Sequence, residues 1–206
     1  MFFSNGVAVS EAVDFETMSK SALQEKIATL GLGFGDYVVG KQLTAAQQFA
    51  AEKNHDYKAY PGTVKFKDGE VFVIVDKETS AVIALYKRNK KANKNDFKTT
   101  IAELMMQYGE PTTEAHGKII YWSYGPEGLI TEDFYRTVKS QGKLKTLDVI
   151  ATVKFTSSEN VATITDLVEM MDKKNQQGEE VKKADVTSDN YVMIQSDVLT
   201  RKYMKN

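Results

Sequence analysis

Hydrophobic residues recur every three or four positions in the first part of the chain, a spacing that predicts two helices. The first is predicted over Ser19–Leu30, with Leu23, Ile27 and Leu30 on one face and Gly31 just beyond its end. The second is predicted over Gly40–Lys53, and one face of it carries Leu43, Ala46, Phe49 and Ala50. The glycine-rich stretch between them departs from the dinucleotide-binding fingerprint and follows a helix rather than a strand, so it is interpreted as a connection between helices.

Alternating polar and apolar positions follow and predict an antiparallel β-meander. Its strands are predicted at Thr63–Lys67, Glu70–Val75 and Ala81–Lys87, with Asp68-Gly69 as a two-residue hairpin turn. Both faces of Val71–Val75 are apolar, which predicts a central strand covered on both sides.

The same order of helix and meander recurs in the second half. A helix is predicted over Phe97–Tyr108, capped by Asp96 and ended by Gly109-Glu110-Pro111. The extended segments predicted after it are Lys118–Tyr124, Leu129–Val138, Leu147–Phe155 and Val161–Thr165. In the third of these segments the odd positions are expected to face a core.

These patterns predict an α+β fold of two tandem units, each of short helices packed on an antiparallel β-meander. The units span residues 13–88 and 96–166. Residues 89–95 are predicted to be a basic linker, because this stretch has cations, no acid and no apolar residue larger than alanine. Residues 167–206 are predicted to form a polar C-terminal tail, in which Tyr191–Ile194 adds a strand to an edge of the sheet.

Composition excludes several classes of function. The 206 residues include no cysteine, which excludes disulfides, thiolate metal sites, cysteine nucleophiles and a lipidated cysteine. The 27 basic and 28 acidic residues leave a formal charge of −1, so no overall positive field favours nucleic acid as a partner. No stretch approaches the roughly 20 apolar residues that span a bilayer, so no transmembrane segment is predicted.

Residues 1–12 look like the second half of a signal peptide. Phe2-Phe3 resembles the end of an apolar region, and Ser10-Glu11-Ala12 has the small-x-Ala pattern of a cleavage site. We therefore expect a periplasmic or secreted protein whose mature chain begins at Val13. The alternative is a cytoplasmic protein with an apolar N-terminal tail.

Candidate catalytic chemistry is sparse. His55 and His116 lie in predicted turns, far apart in sequence, without the spacing of metal ligands. No Gly-x-Ser-x-Gly elbow is present, and Glu132 and Asp133 would point apart in an extended segment. The sequence therefore predicts no catalytic residue, no metal site and no cofactor.

Aromatic residues concentrate on neighbouring predicted strands of the second unit. The cluster consists of Tyr121, Trp122, Tyr124, Phe134 and Tyr135. Large aromatic side chains on both faces of one strand exceed what a single core requires, and Tyr and Trp suit surfaces that are apolar at one end and wet at the other. These five residues are the candidate binding site, with packing in the core or between units as the alternative.

The segment from Asp96 to Ile164 resembles the repeat of the SmpA/OmlA family of small outer-membrane lipoproteins and the related fold of the β-lactamase inhibitor protein. The shared features are a helix ending in Gly109-Glu110-Pro111, a strand with the aromatic run Tyr121-Trp122-Ser123-Tyr124, and two further meander strands. The resemblance implies an exported, non-enzymatic bacterial protein that binds other proteins. The chain differs from the family in lacking the lipidated cysteine and in a longer segment between Tyr124 and Leu147.

The leading interpretation is a non-enzymatic, exported bacterial binding module that contacts another protein of the cell envelope through a sheet face. The alternative is a carrier of a small molecule or lipid, with a pocket between sheet and helices.

Overall fold

A computed structural model describes Phe15 and residues 17–56, 59–92, 94–158 and 188–204. Within these residues, side-chain caps fix the start of the first two helices. The Ser19 hydroxyl accepts a hydrogen bond from the backbone N–H of Ala22 at the start of α1 (Lys20–Ala28). Thr44 and Gln47 form a reciprocal capping box at the start of α2 (Ala45–Lys53), so this helix begins later than the predicted Gly40.

The glycine-rich stretch after α1 is a hairpin, not a plain connection between helices. Strands β1 (Gly33–Phe34) and β2 (Tyr37–Val38) pair antiparallel, and Gly35 turns between them with a φ of +58°. Phe34 and Tyr37 are buried in the core, so the hairpin packs against the rest of the fold.

Nine strands of the described residues form one large sheet in which every observed pairing is antiparallel. In chain order they are β3 (His55–Asp56), β4 (Thr63–Asp68), β5 (Val71–Asp76), β6 (Val82–Ala92), β7 (Thr113–Ala115), β8 (Ile119–Gly125), β9 (Gly128–Leu129), β10 (Ala151–Ser157) and β11 (Ser188–Gln195). Their spatial order is β3-β4-β5-β6-β11-β10-β8-β7, and β9 also pairs with β8. The α+β class is confirmed, and the sheet is continuous through both halves of the chain.

Strand β11 joins the two halves. It pairs with β6 on one side and β10 on the other, so Tyr191–Ile194 lies in the centre of the sheet and not at an edge as predicted. Strand propensity indicates a strand here, but the sequence does not reveal its partners, β6 and β10, which lie about 100 and about 40 residues earlier in the chain. The division into two tandem units stays a prediction.

The predicted basic linker is wrong over residues 89–92, which belong to β6. Asn89 pairs with Asn190, and Ala92 pairs with Ser188. This end of β6 extends beyond β5 and pairs with β11 alone, and Asn89 and Lys90 are exposed, so the polar composition did not reveal the pairing.

The predicted extended segment Leu129–Val138 is also wrong beyond β9, because helix α4 occupies Glu132–Ser140. Thr131 caps this helix, its hydroxyl accepting from the N–H of Phe134, and Glu132 and Asp133 lie in the acidic first turn. Acidic residues favour a helix N-terminus through the helix dipole, and this signal outweighs the aromatic residues that suggested a strand.

The other predicted segments of the second half are placed as follows. Helix α3 spans Lys94–Tyr108 and a 3₁₀ turn, η1, spans Leu144–Thr146, whereas residues 147–150 precede β10 rather than forming part of it. A final helix, α5 (Asp197–Met204), follows β11. The prediction for Val161–Thr165 and most of the predicted tail lie outside the described residues.

The core lies between these helices and one face of the sheet. Its largest fully buried side chains include Trp122, Phe66 and Phe155 from the sheet, together with Leu23, Ile27 and Leu199 from α1 and α5. Ala151, Val153 and Phe155 are all buried, so the odd-position pattern holds within β10. It fails before the strand, where Leu147 and Val149 are only partly buried and Ile150 has no exposed surface. Gly40 passes so close to α1 that a Cβ there would lie 2.6 Å from the carbonyl oxygen of Gln24, so only glycine fits.

Candidate binding surface

The two faces of the large sheet differ in what covers them. On the closed face, alternate residues such as Val73, Leu85 and Trp122 enter the core. The large apolar side chains of the opposite face are only partly buried, and none belongs to the core cluster of the described residues: Phe72, Ile74, Tyr86, Ile119, Tyr121, Tyr191 and Met193. We call this side the open face. Strand β5 is central, as predicted, but only its closed-face residues contribute to the core.

Register aligns six residues of the open face in a single row across six strands. Lys67 pairs with Phe72, Phe72 with Tyr86, and Tyr86 with Met193. Met193 pairs with Lys154, which in turn pairs with Tyr121. At about 4.8 Å between strands, this aromatic row is about 24 Å wide.

The rings of the row stand beside cations of their own chain. Phe72 and Tyr86 stack with parallel planes and centroids 4.4 Å apart. The ammonium of Lys65 lies 5.6 Å from each of these two ring centroids, and that of Lys67 lies 5.4 Å from Phe72. Lys154 approaches Tyr121 at 6.0 Å. Such contacts hold the ammonium groups above the sheet, where they can receive an anion.

A second aromatic–cation pair flanks the row. The guanidinium of Arg88 lies 5.3 Å from the ring of Tyr191 and forms an ion pair with Asp189. The hydrogen bond to Asp189 is the main cause that raises the pKa of Arg88. Two carboxylates pair with cations here, Asp189 with Arg88 and Glu70 with Lys67 at 3.8 Å. The four cations of this face, Lys65, Lys67, Arg88 and Lys154, therefore leave the surface cationic on balance.

The structure separates the five predicted binding residues. Trp122 has no exposed surface, and its indole N–H donates to the carbonyl oxygen of Gly109 at 2.8 Å. Tyr124 is also buried, and its hydroxyl donates to the carbonyl oxygen of Tyr108 at 3.4 Å. These two side chains are core residues, because alternation along β8 directs them to the closed face. These two residues therefore do not belong to the candidate binding surface.

The other three predicted residues are accessible but lie in two places. Tyr121 belongs to the aromatic row, whereas Phe134 and Tyr135 lie on α4. Phe134 is 54% exposed. The five residues therefore do not form one surface.

Sequence reasoning missed most of the row. The sequence predicts strands for Phe72 and Tyr86, but it predicts cover on both sides for the strand of Phe72 alone, and it predicts no binding role for Tyr86 or Lys154. Alternation in β6 and β10 could have placed Tyr86 and Lys154 on the opposite face from Leu85 and Phe155. It could not have aligned them, because the alignment depends on β11 between these strands.

Other chemistry among the described residues is limited. His55 and His116 are both exposed, and the Nδ1 of His55 lies 3.0 Å from the carbonyl oxygen of Glu52. His55 lies in β3 rather than in a turn, while His116 occupies the turn between β7 and β8 with a φ of +56°. Within the described ranges, no three His, Asp or Glu side chains come together as a metal site. None of the described helices has the length and apolar character needed to cross a membrane.

Comparison with known proteins gives no match: no model of a protein family matches the sequence, and neither does any curated protein or solved structure. The resemblance to the SmpA/OmlA repeat and to the β-lactamase inhibitor protein stays a prediction.

Proposed function

We propose that this chain is a non-enzymatic binding protein that holds an acidic segment of another protein on the open face of its sheet. The observation that supports the proposal most is the aromatic row, in which three rings, two lysines and one methionine line up across six strands. Aromatic side chains, Met and Arg are enriched in protein interfaces, and the open face carries all three kinds. Its cations supply complementarity to carboxylates.

A polypeptide suits this surface better than a nucleic acid does. Bases bind proteins by stacking on free ring faces. Here Phe72 and Tyr86 cover one another, and Lys65 stands over both. The overall charge of −1 also provides no general attraction for a phosphate backbone.

The absence of cysteine allows a direct test by a single engineered thiol. A Thr156→Cys variant carries a photo-crosslinker on the open face without altering the aromatic row, and Phe49→Cys carries the same group on α2, where Phe49 is 67% exposed. In cells that make the protein, we expect a discrete crosslinked protein from position 156 and not from position 49.

Charge reversal decides whether the captured protein uses the row. Lys154→Glu should abolish the crosslink, whereas Lys77→Glu, in the exposed turn between β5 and β6, should leave it intact. Binding of the purified partner should also weaken as salt is added. Equal crosslinking at positions 156 and 49, or no effect of Lys154→Glu, would contradict the proposal.

The proposed setting is the periplasm or the exterior of the cell. Its support is the cleavage-site pattern Ser10-Glu11-Ala12. N-terminal sequencing of protein from its native cells should find a mature chain that begins at Val13. Retained Met1 would place the binding in the cytoplasm.

A second candidate function is a carrier of a small molecule or lipid. A specific observation favours it: a cleft of about 690 Å³ lies between α2 and the strands β4 and β5, with Leu43, Ala51, Val64 and Val75 among its lining residues. Native mass spectrometry of freshly purified protein should then show a bound small molecule. Val64→Ala widens the cleft and should change which small molecules remain bound, and therefore their masses. A spectrum without bound ligand would contradict the carrier function.

A further inference from the structure

Residues 131–149 form an arm that leaves the sheet and returns to it. The arm starts after Ile130 and ends before Ile150, and both of these anchoring side chains are buried. Between them lie α4 and η1. No residue of α4 is buried, and its main packing partner among the described elements is η1 of the same arm.

A defined turn closes the arm at its far end. The N–H of Gly142 donates to the carbonyl oxygen of Lys139 at 3.0 Å, and the N–H of Lys143 donates to that of Val138 at 3.0 Å. This pair of bonds is a Schellman motif, and Gly142 supplies the left-handed residue with a φ of +70°. The arm is therefore a folded element rather than a loose loop.

Apolar side chains of the arm remain in contact with solvent. Phe134 is 54% exposed and Leu144 is 38% exposed. Tyr135 and Val138 share the helix surface with Phe134 and are only partly buried. The opposite side of α4 carries charged and hydroxyl residues, so the helix is strongly amphipathic while its apolar side lacks a full cover from the described residues.

Charge is segregated along the arm. Glu132 and Asp133 occupy the first turn of α4, and every charged residue from there to Asp148 is cationic: Arg136, Lys139, Lys143 and Lys145. Arg136 pairs with Glu132 at 2.6 Å. The three lysines form no ion pair within the described part of the chain, so the second half of the arm presents uncompensated positive charge around Leu144, whereas Phe134 adjoins the acidic first turn of α4.

We propose that this arm docks on an anionic lipid surface, as an attachment separate from the protein-binding open face. Amphipathic helices with lysines on the polar side and large apolar residues on the other side bind at the interface of a membrane. Protein docking fits less well, because α4 has nine residues and is about 14 Å long, whereas a stable protein interface needs about 800 Å² from each partner. A membrane surface requires no such area, since each basic residue near anionic headgroups strengthens binding about fivefold.

Vesicle binding of the full chain tests the proposal. The protein should sediment with vesicles of phosphatidylcholine and phosphatidylglycerol, and much less with phosphatidylcholine alone. Phe134→Ser/Leu144→Ser should lower the partition coefficient about tenfold or more. Lys143→Gln/Lys145→Gln should lower it about 20-fold, since two cations are removed. Matched surface controls, Phe49→Ser and Lys41→Gln/Lys77→Gln, should leave it unchanged.

A spectroscopic readout locates the contact and does not depend on the stability of these variants. Leu144→Cys and Phe49→Cys each carry an environment-sensitive dye, unique because the chain has no other thiol. Anionic vesicles should shift the emission to the blue only for the dye at position 144. The proposal is overturned if the protein does not bind anionic vesicles or binds neutral vesicles equally well. It is also overturned if both arm variants bind as the wild type does. A crosslink from position 144 to a protein, with no spectral shift of either dye on vesicles, would show that the arm docks on a protein instead.

Discussion

The two faces of the large sheet are built from alternate residues of the same strands but differ in burial. In β6, Leu85 has no exposed surface and packs in the core, while its neighbour Tyr86 lies on the open face beside Phe72. In β8, Trp122 is fully buried and Tyr121 is accessible. Aromatic content alone therefore does not identify a binding surface, since the side of the strand decides between core and contact.

The closed face should carry the stability of the fold, and the largest effect is expected there. Trp122→Ala should lower the free energy of unfolding by about 3–5 kcal/mol, because it empties a fully buried site and removes the hydrogen bond to Gly109. Urea titration measures this change. Trp122→Phe keeps part of the ring volume and should cost less. A loss of under about 1 kcal/mol for the alanine variant would contradict the assignment of Trp122 to the core.

Leu85 and Tyr86 are neighbours in β6 and lie on opposite faces, so substitutions at these two positions compare the faces within one strand. Leu85→Ala should cost about 2–5 kcal/mol of stability. Tyr86→Ala should cost about 1 kcal/mol, mainly through the lost stack with Phe72. Crosslinking of the partner from position 156 should show the opposite pattern: Tyr86→Ala should abolish it and Leu85→Ala should leave it intact. The measurement is made at a temperature at which the Leu85→Ala variant is folded. Equal stability losses would mean that the open face is also part of the core.

Buried tyrosine hydroxyls should make the closed face sensitive to alkaline pH. Burial raises the pKa of Tyr124 to about 12, and burial also raises that of Tyr108. Tyrosine ionises near pH 10 in the unfolded chain, so the contribution of Tyr124 to stability should be constant below that pH and fall between about pH 10 and 12, by on the order of 2 kcal/mol. Urea titrations at pH 9, 10 and 11 measure the slope. Tyr124→Phe should reduce it, and an unchanged slope would show that Tyr124 does not contribute.

Local sequence patterns predicted most of the strands, because a period of two and turn residues are properties of a few adjacent positions. The hairpin at Asp68-Gly69 and strand β8 are examples. Helix α4 was missed because Phe134, Tyr135 and Val138 suit a strand as well as a helix, and the deciding signal was the Thr131 cap with its acidic first turn.

The aromatic row could not be predicted, because it depends on contacts between distant parts of the chain. Tyr86 and Lys154 are aligned only because Met193 of β11 lies between them. Of the predicted binding residues, Tyr121 alone belongs to the row. Register between distant strands is a tertiary property, so a single sequence carries little information about it.

The smallest stability effect is expected for a single cation of the open face. Lys154 is partly exposed and lies 6.0 Å from the ring of Tyr121. Lys154→Gln keeps the length of the side chain and removes its charge, so the free energy of unfolding should change by no more than about 0.5 kcal/mol. The purified partner should bind the variant more weakly at low salt and about equally at high salt, because screening removes the same attraction. Lys77→Gln controls for net charge and should bind as the wild type does at every salt concentration. If both variants lose affinity alike, general charge rather than the aromatic row attracts the partner, and the open face would then differ from the closed face only in its exposure.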